Sequence, residues 1–311
     1  MAMSDPQCEA AILEDKFTRR TLLISMAVAA PLGCLTCSTF GLLAYEVDQA
    51  LSLQELHNAL EKVDNELSQY NLRVLNGINF STDYDNYSFR ADEIDTNDLT
   101  GARELLIIKR LILQEGKKYP KPSPYGINLT FISVGDHREP HINEENGPYT
   151  LGSTLLWTDN QSNFAFETGL LFNPFMRELK GYSMQQNQDY FGPDFIQTFH
   201  HEMFHGILGT IKHVMGEEFV NQYISEFMSI EGGNEDIDAV IENMAEFFAR
   251  FMAEPTLIDQ YTDTDMHKLH IIKNLFGQVI PEKYFDDLQS GKARNYDEWS
   301  ETNANLLTYG N

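Results

Sequence analysis

Basic residues are scarce in this chain. Its 311 residues carry 22 Lys and Arg against 47 Asp and Glu, a formal net charge of −25 at pH 7. Phosphate binding needs clustered cations, so this balance argues against a nucleic-acid or anionic-lipid surface on the folded chain. Cysteine is scarcer still: Cys8, Cys34 and Cys37 all fall within the first 37 residues. Nothing after them can form a disulfide or a thiolate metal site, so any metal site there must be built from His, Asp and Glu. Internal repeats and Gly/Ser-rich linkers are absent. What is present suffices for a sizeable core, with 42% hydrophobic and 12% aromatic residues. The length allows one large domain or two small ones.

Thr21 to Tyr45, "TLLISMAVAAPLGCLTCSTFGLLAY", contains no charged side chain. It is long enough for a membrane span or a generous signal segment. Arg19 and Arg20 precede it and Glu46 and Asp48 follow, so the positive-inside tendency places the bulk of the chain outside the cytoplasm. "TRRTLL" is similar to a twin-arginine export signal, and "PLGC" to an imperfect lipobox. Residues 1–45 are therefore expected to be a signal or membrane anchor, and 46–311 an exported or membrane-anchored domain. A buried core helix is the competing reading, disfavoured by Pro31 and the small residues.

Ser52 with Glu55 forms a capping box, and Leu53, Leu56, Leu60, Val63 and Leu67 follow at helical spacing. A second helix is expected over 99–115, which makes 46–115 a helical N-terminal part. The acidic stretch 83–98 reads as a solvated loop. After the proline-rich turn 119–126, residues 127–134 read as a strand. Residues 153–157 and 164–172 flank the turn-rich "TDNQSN" as a hairpin. Asp194 with Gln197 reads as the cap of the next helix, which Gly206, Gly209 and Gly216 weaken further on. Helices are expected at 217–230, 237–253 (ended by Pro255) and 265–276. Helices, then strands, then helices suit an α+β fold, with 120–311 as its catalytic unit.

"DFIQTFHHEMFHGILG", residues 194–209, carries the chemistry. Taking about 100° per residue, His205 falls about 40° and Glu202 about 100° from His201, so the three share one helix face. His200 falls at about 260°, among Phe195, Phe199, Met203 and Ile207, and reads as a core histidine or one that supports the ligands from behind. His-Glu-x-x-His on a helix is a zinc signature: two imidazoles one turn apart hold the metal and the glutamate is the base. The metal lowers the pKa of its water to about 7, and Glu202 takes the proton as that water attacks a carbonyl. The competing reading is a coincidental surface pair.

A third ligand is still needed, because catalytic zinc usually takes three protein ligands plus water. The extended pattern with a third histidine fails, since position 211 is Ile. Glu226, Glu242 and Glu246 are the carboxylates to weigh. Glu242 and Glu246 share a stripe with Ala239, Ala249 and Ala253, opposite a broad apolar side. That stripe is either a solvated face or one approached closely by another helix.

"HEMFH" followed by "AEFFAR" at 245–250 resembles the gluzincin metallopeptidases, especially the anthrax lethal factor catalytic domain and the Mlc titration factor peptidases. The likeness covers two short motifs and their spacing. It implies a zincin-like α+β fold with a small mixed sheet and an active-site helix, one Zn2+ per chain, and Glu246 as third ligand. It also implies a transition-state tyrosine seven residues before that glutamate, where this chain has Ala239. Tyr223, Tyr261 and His213 are the candidates for that role, and Glu242 for a residue that supports the ligands without binding the metal. The expected function is a zinc-dependent endopeptidase acting on peptide or protein substrates, held as an added strand along a sheet edge, with hairpin 153–172 as candidate. A catalytically silent zinc-stabilised binding protein and a cytosolic regulatory peptidase are the rivals.

Overall fold

The computed structural model describes residues 51–70, 72–81, 88–120, 129–136, 152–158, 164–172, 184–233 and 236–304. The expected signal or anchor segment lies outside them. Among the described residues no helix is long and apolar enough to cross a membrane.

The chain opens with α1 (Leu53–Gln69), started by the Ser52–Glu55 capping box, in which each side chain bonds the other's backbone N–H. Leu56, Leu60, Val63 and Leu67 form its buried stripe. Three short strands follow: β1 (Val74–Asn76), β2 (Ile78–Ser81) and β3 (Ser88–Ala91). The stretch 46–115 is therefore not purely helical, and part of the supposed acidic loop is strand. The reason is pairing at a distance: β1 lies parallel to a strand some 58 residues later, Val74 opposite Ile132. Helix α2 (Leu99–Gly116) is capped by the Asp98 carboxylate, which accepts from the N–H groups of Thr100 and Gly101. It packs on α1.

Strands β4 (Leu129–Asp136), β5 (Gly152–Thr158) and β6 (Phe164–Phe172) complete a mixed sheet of order β1-β4-β6-β5. β4 runs parallel to both β1 and β6, and β5 is antiparallel to β6, with Thr158 opposite Phe164 as the expected hairpin requires. Among the described residues β5 has no partner on its other side. β2 and β3 form a separate antiparallel pair.

The long α3 (Met184–Met215) lies across β5 and β6. Its start is a correction: Asp194 does not open the helix, whose backbone runs on from Met184 through Gly192 and Pro193. The proline removes one rung of the ladder without ending it. Gly206 and Gly209 do not interrupt α3 either. It ends before Gly216, whose positive φ of 90° is a backbone conformation suited to glycine. Then come α4 (Glu217–Glu231), α5 (Ile237–Ala253) and, after a 3-10 turn from Pro255, α6 (Asp263–Phe276). Two short helices not anticipated from periodicity, α7 (Glu282–Gln289) and α8 (Tyr296–Thr302), close the described chain. α3 packs along α5, and their apolar faces meet through Phe204, Phe248 and Phe276 of α6, with ring centroids 5.1–5.7 Å apart. The fold is α+β.

Candidate metal centre

Two helices supply the site. On α3, Ile196, Phe199, Met203, Phe204, Ile207 and Ile211 are buried, which fixes the orientation of the remaining face. His201 and His205 stand on that face, half-buried, with their ring centroids 4.8 Å apart and their Nε2 atoms 3.1 Å apart. On α5, Val240, Met244, Phe247, Phe248 and Phe251 face the core. The opposite stripe brings Glu242 to the histidines: its Oε2 lies 3.1 Å from His201 Nε2, and its Oε1 3.4 Å from His205 Nε2. One ligand atom from each of His201, His205 and Glu242 lies within 4.8 Å of the other two, a group able to hold a metal ion.

The electrostatics follow from that convergence. The hydrogen bond from His201, then that from His205, holds the Glu242 carboxyl well below the usual carboxylate range. Burial alone would lower the pKa of His201. The Glu242 hydrogen bond and the negative charges of Glu202, Glu242 and Glu246 outweigh it and raise it instead. The site is thus a concentration of negative charge around two imidazoles, which favours any cation placed between them. Glu202, next to His201, is buried at 5% exposure and lies near enough for its charge to act on that ring.

The expected third ligand and the carboxylate that arrives are different residues. Glu246 is exposed on the same stripe, one turn further along α5, and stands outside the three-residue group. Four residues advance a helix by about 6 Å, so one crossing brings only one member of this pair to the imidazoles. Glu226 pairs with His267 across α4 and α6 at 3.8 Å. Tyr223 packs edge-on against Phe219 within α4, and the Tyr261 ring lies tilted against Phe247. His213, eight residues past His205, is about 12 Å further along α3 and exposed. None of the three is in the donor group.

His200 is fully buried, as its place on the apolar side predicts. Its Nε2–H donates to Glu115 Oε2 at 2.8 Å, and its Nδ1 accepts from the Tyr119 hydroxyl at 2.6 Å. Burial keeps this imidazole neutral, with a pKa lowered to about 4. Neither Glu115 nor Tyr119 was legible as part of this region. The only hint in sequence was a histidine placed among apolar residues, which must find partners when buried.

The chain matches no family model, no curated protein and no solved structure.

Proposed function

We propose that this chain is a zinc-dependent endopeptidase of zincin-like fold, with His201, His205 and Glu242 as ligands and Glu202 as general base. The observation that carries the reading is the convergence of the three donors beside Glu202. Tetrahedral zinc with ligands at about 2.0–2.1 Å would set its donors about 3.3–3.4 Å from one another. His201 Nε2 lies 3.1 Å from both His205 Nε2 and Glu242 Oε2, close to that spacing, and one ligand atom from each of the three residues lies within 4.8 Å of the others. Two imidazoles and one carboxylate are also the composition of a catalytic rather than a structural zinc site, and their partial exposure leaves a position open. Bound there, zinc would supply Lewis acidity, lowering the pKa of a water to about 7 and polarising a carbonyl.

The chain's own residues would do the rest. Glu202, near the imidazoles but outside the ligand group, takes a proton from the attacking water. The water oxygen bonds to the carbonyl carbon, and the C–N bond breaks as that proton passes to the departing amine. Among the described residues the outer edge of β5, under the same helix that carries the motif, is unpaired and would offer backbone groups to an extended peptide. This supports a peptide substrate over a small one. Residues 21–45 would deliver the domain outside the cytoplasm or hold it at a membrane; full-length, unprocessed protein confined to the cytosol would remove that part.

The test is Glu202→Gln, which keeps shape and removes basicity. It should bind zinc and fold as the parent does, while cleavage of a proteome-derived peptide library falls on the order of 10²–10⁴-fold. Equal cleavage by both proteins would defeat the mechanism.

A further inference from the structure

The end of α2 and the turn after it make polar contacts with both helices that carry the metal-binding group. Glu115, His200 and Tyr119 are 3%, 0% and 4% exposed, so their bonds are made away from water. Tyr119 donates to His200, His200 donates to Glu115, and the same Glu115 Oε2 receives the Lys118 ammonium at 2.6 Å. Lys118 Nζ also donates to the carbonyl of Met252 at 2.8 Å. Met252 lies in the last turn of α5, where carbonyls have no partner within the helix, and a cation there also complements the helix dipole. The turn is itself anchored: Tyr284 of α7 donates to the Lys118 carbonyl at 2.9 Å, and the Tyr296 N–H to that of Lys117 at 2.7 Å. A Cβ on Gly116 would meet Leu72 Cδ1 at 2.4 Å, so the end of α2 sits hard against the chain entering β1.

His200 precedes His201 directly. Side-chain tips lie about 5–6 Å from a helix axis, so rotating α3 by about 20° would move its imidazole nitrogens by about 2 Å. Such a shift would pull His201 Nε2 away from the Glu242 oxygen on α5 that now lies 3.1 Å from it. Apolar packing sets which face of α3 is buried, and the directional hydrogen bonds of His200 add a constraint on its rotation. The Lys118 bond fixes the end of α5 in the same way.

We propose that Glu115, Lys118 and Tyr119 are positioning residues: through His200 and the Met252 carbonyl they hold α3 and α5 at the rotation and offset that bring His201, His205 and Glu242 together. This rests on the metal reading above, and the experiment separates the two. Zinc is titrated calorimetrically into the full-length parent, Tyr119→Phe, Lys118→Met, Lys118→Arg and Val63→Ala. The last is a core trim in α1 that serves as a control for lost stability, and thermal unfolding is recorded for all. Tyr119→Phe and Lys118→Met should each bind zinc about tenfold more weakly, the range seen when outer partners of metal ligands are removed. Lys118→Arg should restore most of the affinity, and Val63→Ala should lose stability while keeping parental affinity. If the parent binds zinc and the positioning variants bind it equally well, or weaken only as Val63→Ala does, the proposal is overturned while the metal site stands. A parent that binds no zinc overturns both. If Lys118→Met fails to fold, Tyr119→Phe decides alone, because it removes a single hydroxyl.

Discussion

At the scale of single residues, the convergence of His201 and His205 was legible because everything that places them is local. An i, i+4 pair on an amphipathic helix converges wherever that helix packs. Which carboxylate joins the imidazoles was not legible, because Glu242 and Glu246 are equivalent in sequence: same helix, same stripe, one turn apart. Only the packing of α5 on α3 decides between them, and it brings Glu242 to 3.1 Å from His201. The expected outcome for Glu242→Ala is loss of zinc beyond the roughly 10–100-fold that an outer partner is worth. Glu246→Ala should retain zinc within about tenfold, since it removes only a neighbouring charge that makes His201 more basic. Measured zinc content after dialysis distinguishes them, and equal retention by the two variants would mean that neither carboxylate is the ligand.

At the scale of elements, legibility tracked how much of each signal is near in sequence. α1 announces itself through its capping box and apolar periodicity, α5 through its apolar side and the proline that follows it, and β5 and β6 through the turn-rich stretch between two apolar runs. β1 has three residues and is defined by a partner strand beyond α2, so nothing local marks it. α7 and α8 are short and held by particular contacts, such as Trp299 Nε1–H donating to Asp287 at 2.9 Å, rather than by a long stripe. The break between α3 and α4 rests on backbone geometry alone. Gly216 has φ 90°, and a Cβ there would meet nothing within 4 Å. Gly216→Ala should therefore cost only the positive-φ extended backbone (φ 90°, ψ 160°), about 1–3 kcal/mol in denaturant unfolding. A stabilised variant would indicate that α3 and α4 prefer to continue as one helix.

At the scale of the whole molecule, two electrostatic effects act in opposite senses as pH falls. The formal charge of −25 opposes the compact state by self-repulsion, which protonation of surface carboxylates relieves. Glu115 acts the other way. Burial alone would raise its pKa, but the Lys118 charge and the His200 hydrogen bond bring it down from 4.5 to about 2. A carboxyl depressed in the folded state contributes stability that is fully present above its unfolded value and is lost as pH falls from 4.5 towards 2. Surface repulsion is common to the parent and to Glu115→Gln, apart from one buried charge, so the difference between them isolates the Glu115 contribution. That difference should be constant from neutral pH down to about 5 and shrink steadily below it. A gap that instead widened on acidification would mean that Glu115 is protonated in the native protein and that Lys118 is held by other groups. Salt separates the second effect. At pH 7 the repulsion among exposed carboxylates is screened over a Debye length of about 8–10 Å, while the buried Glu115–Lys118 pair is not. Raising the salt concentration should then stabilise parent and variant equally. Stabilisation confined to the variant would show that bulk ions reach the buried pair.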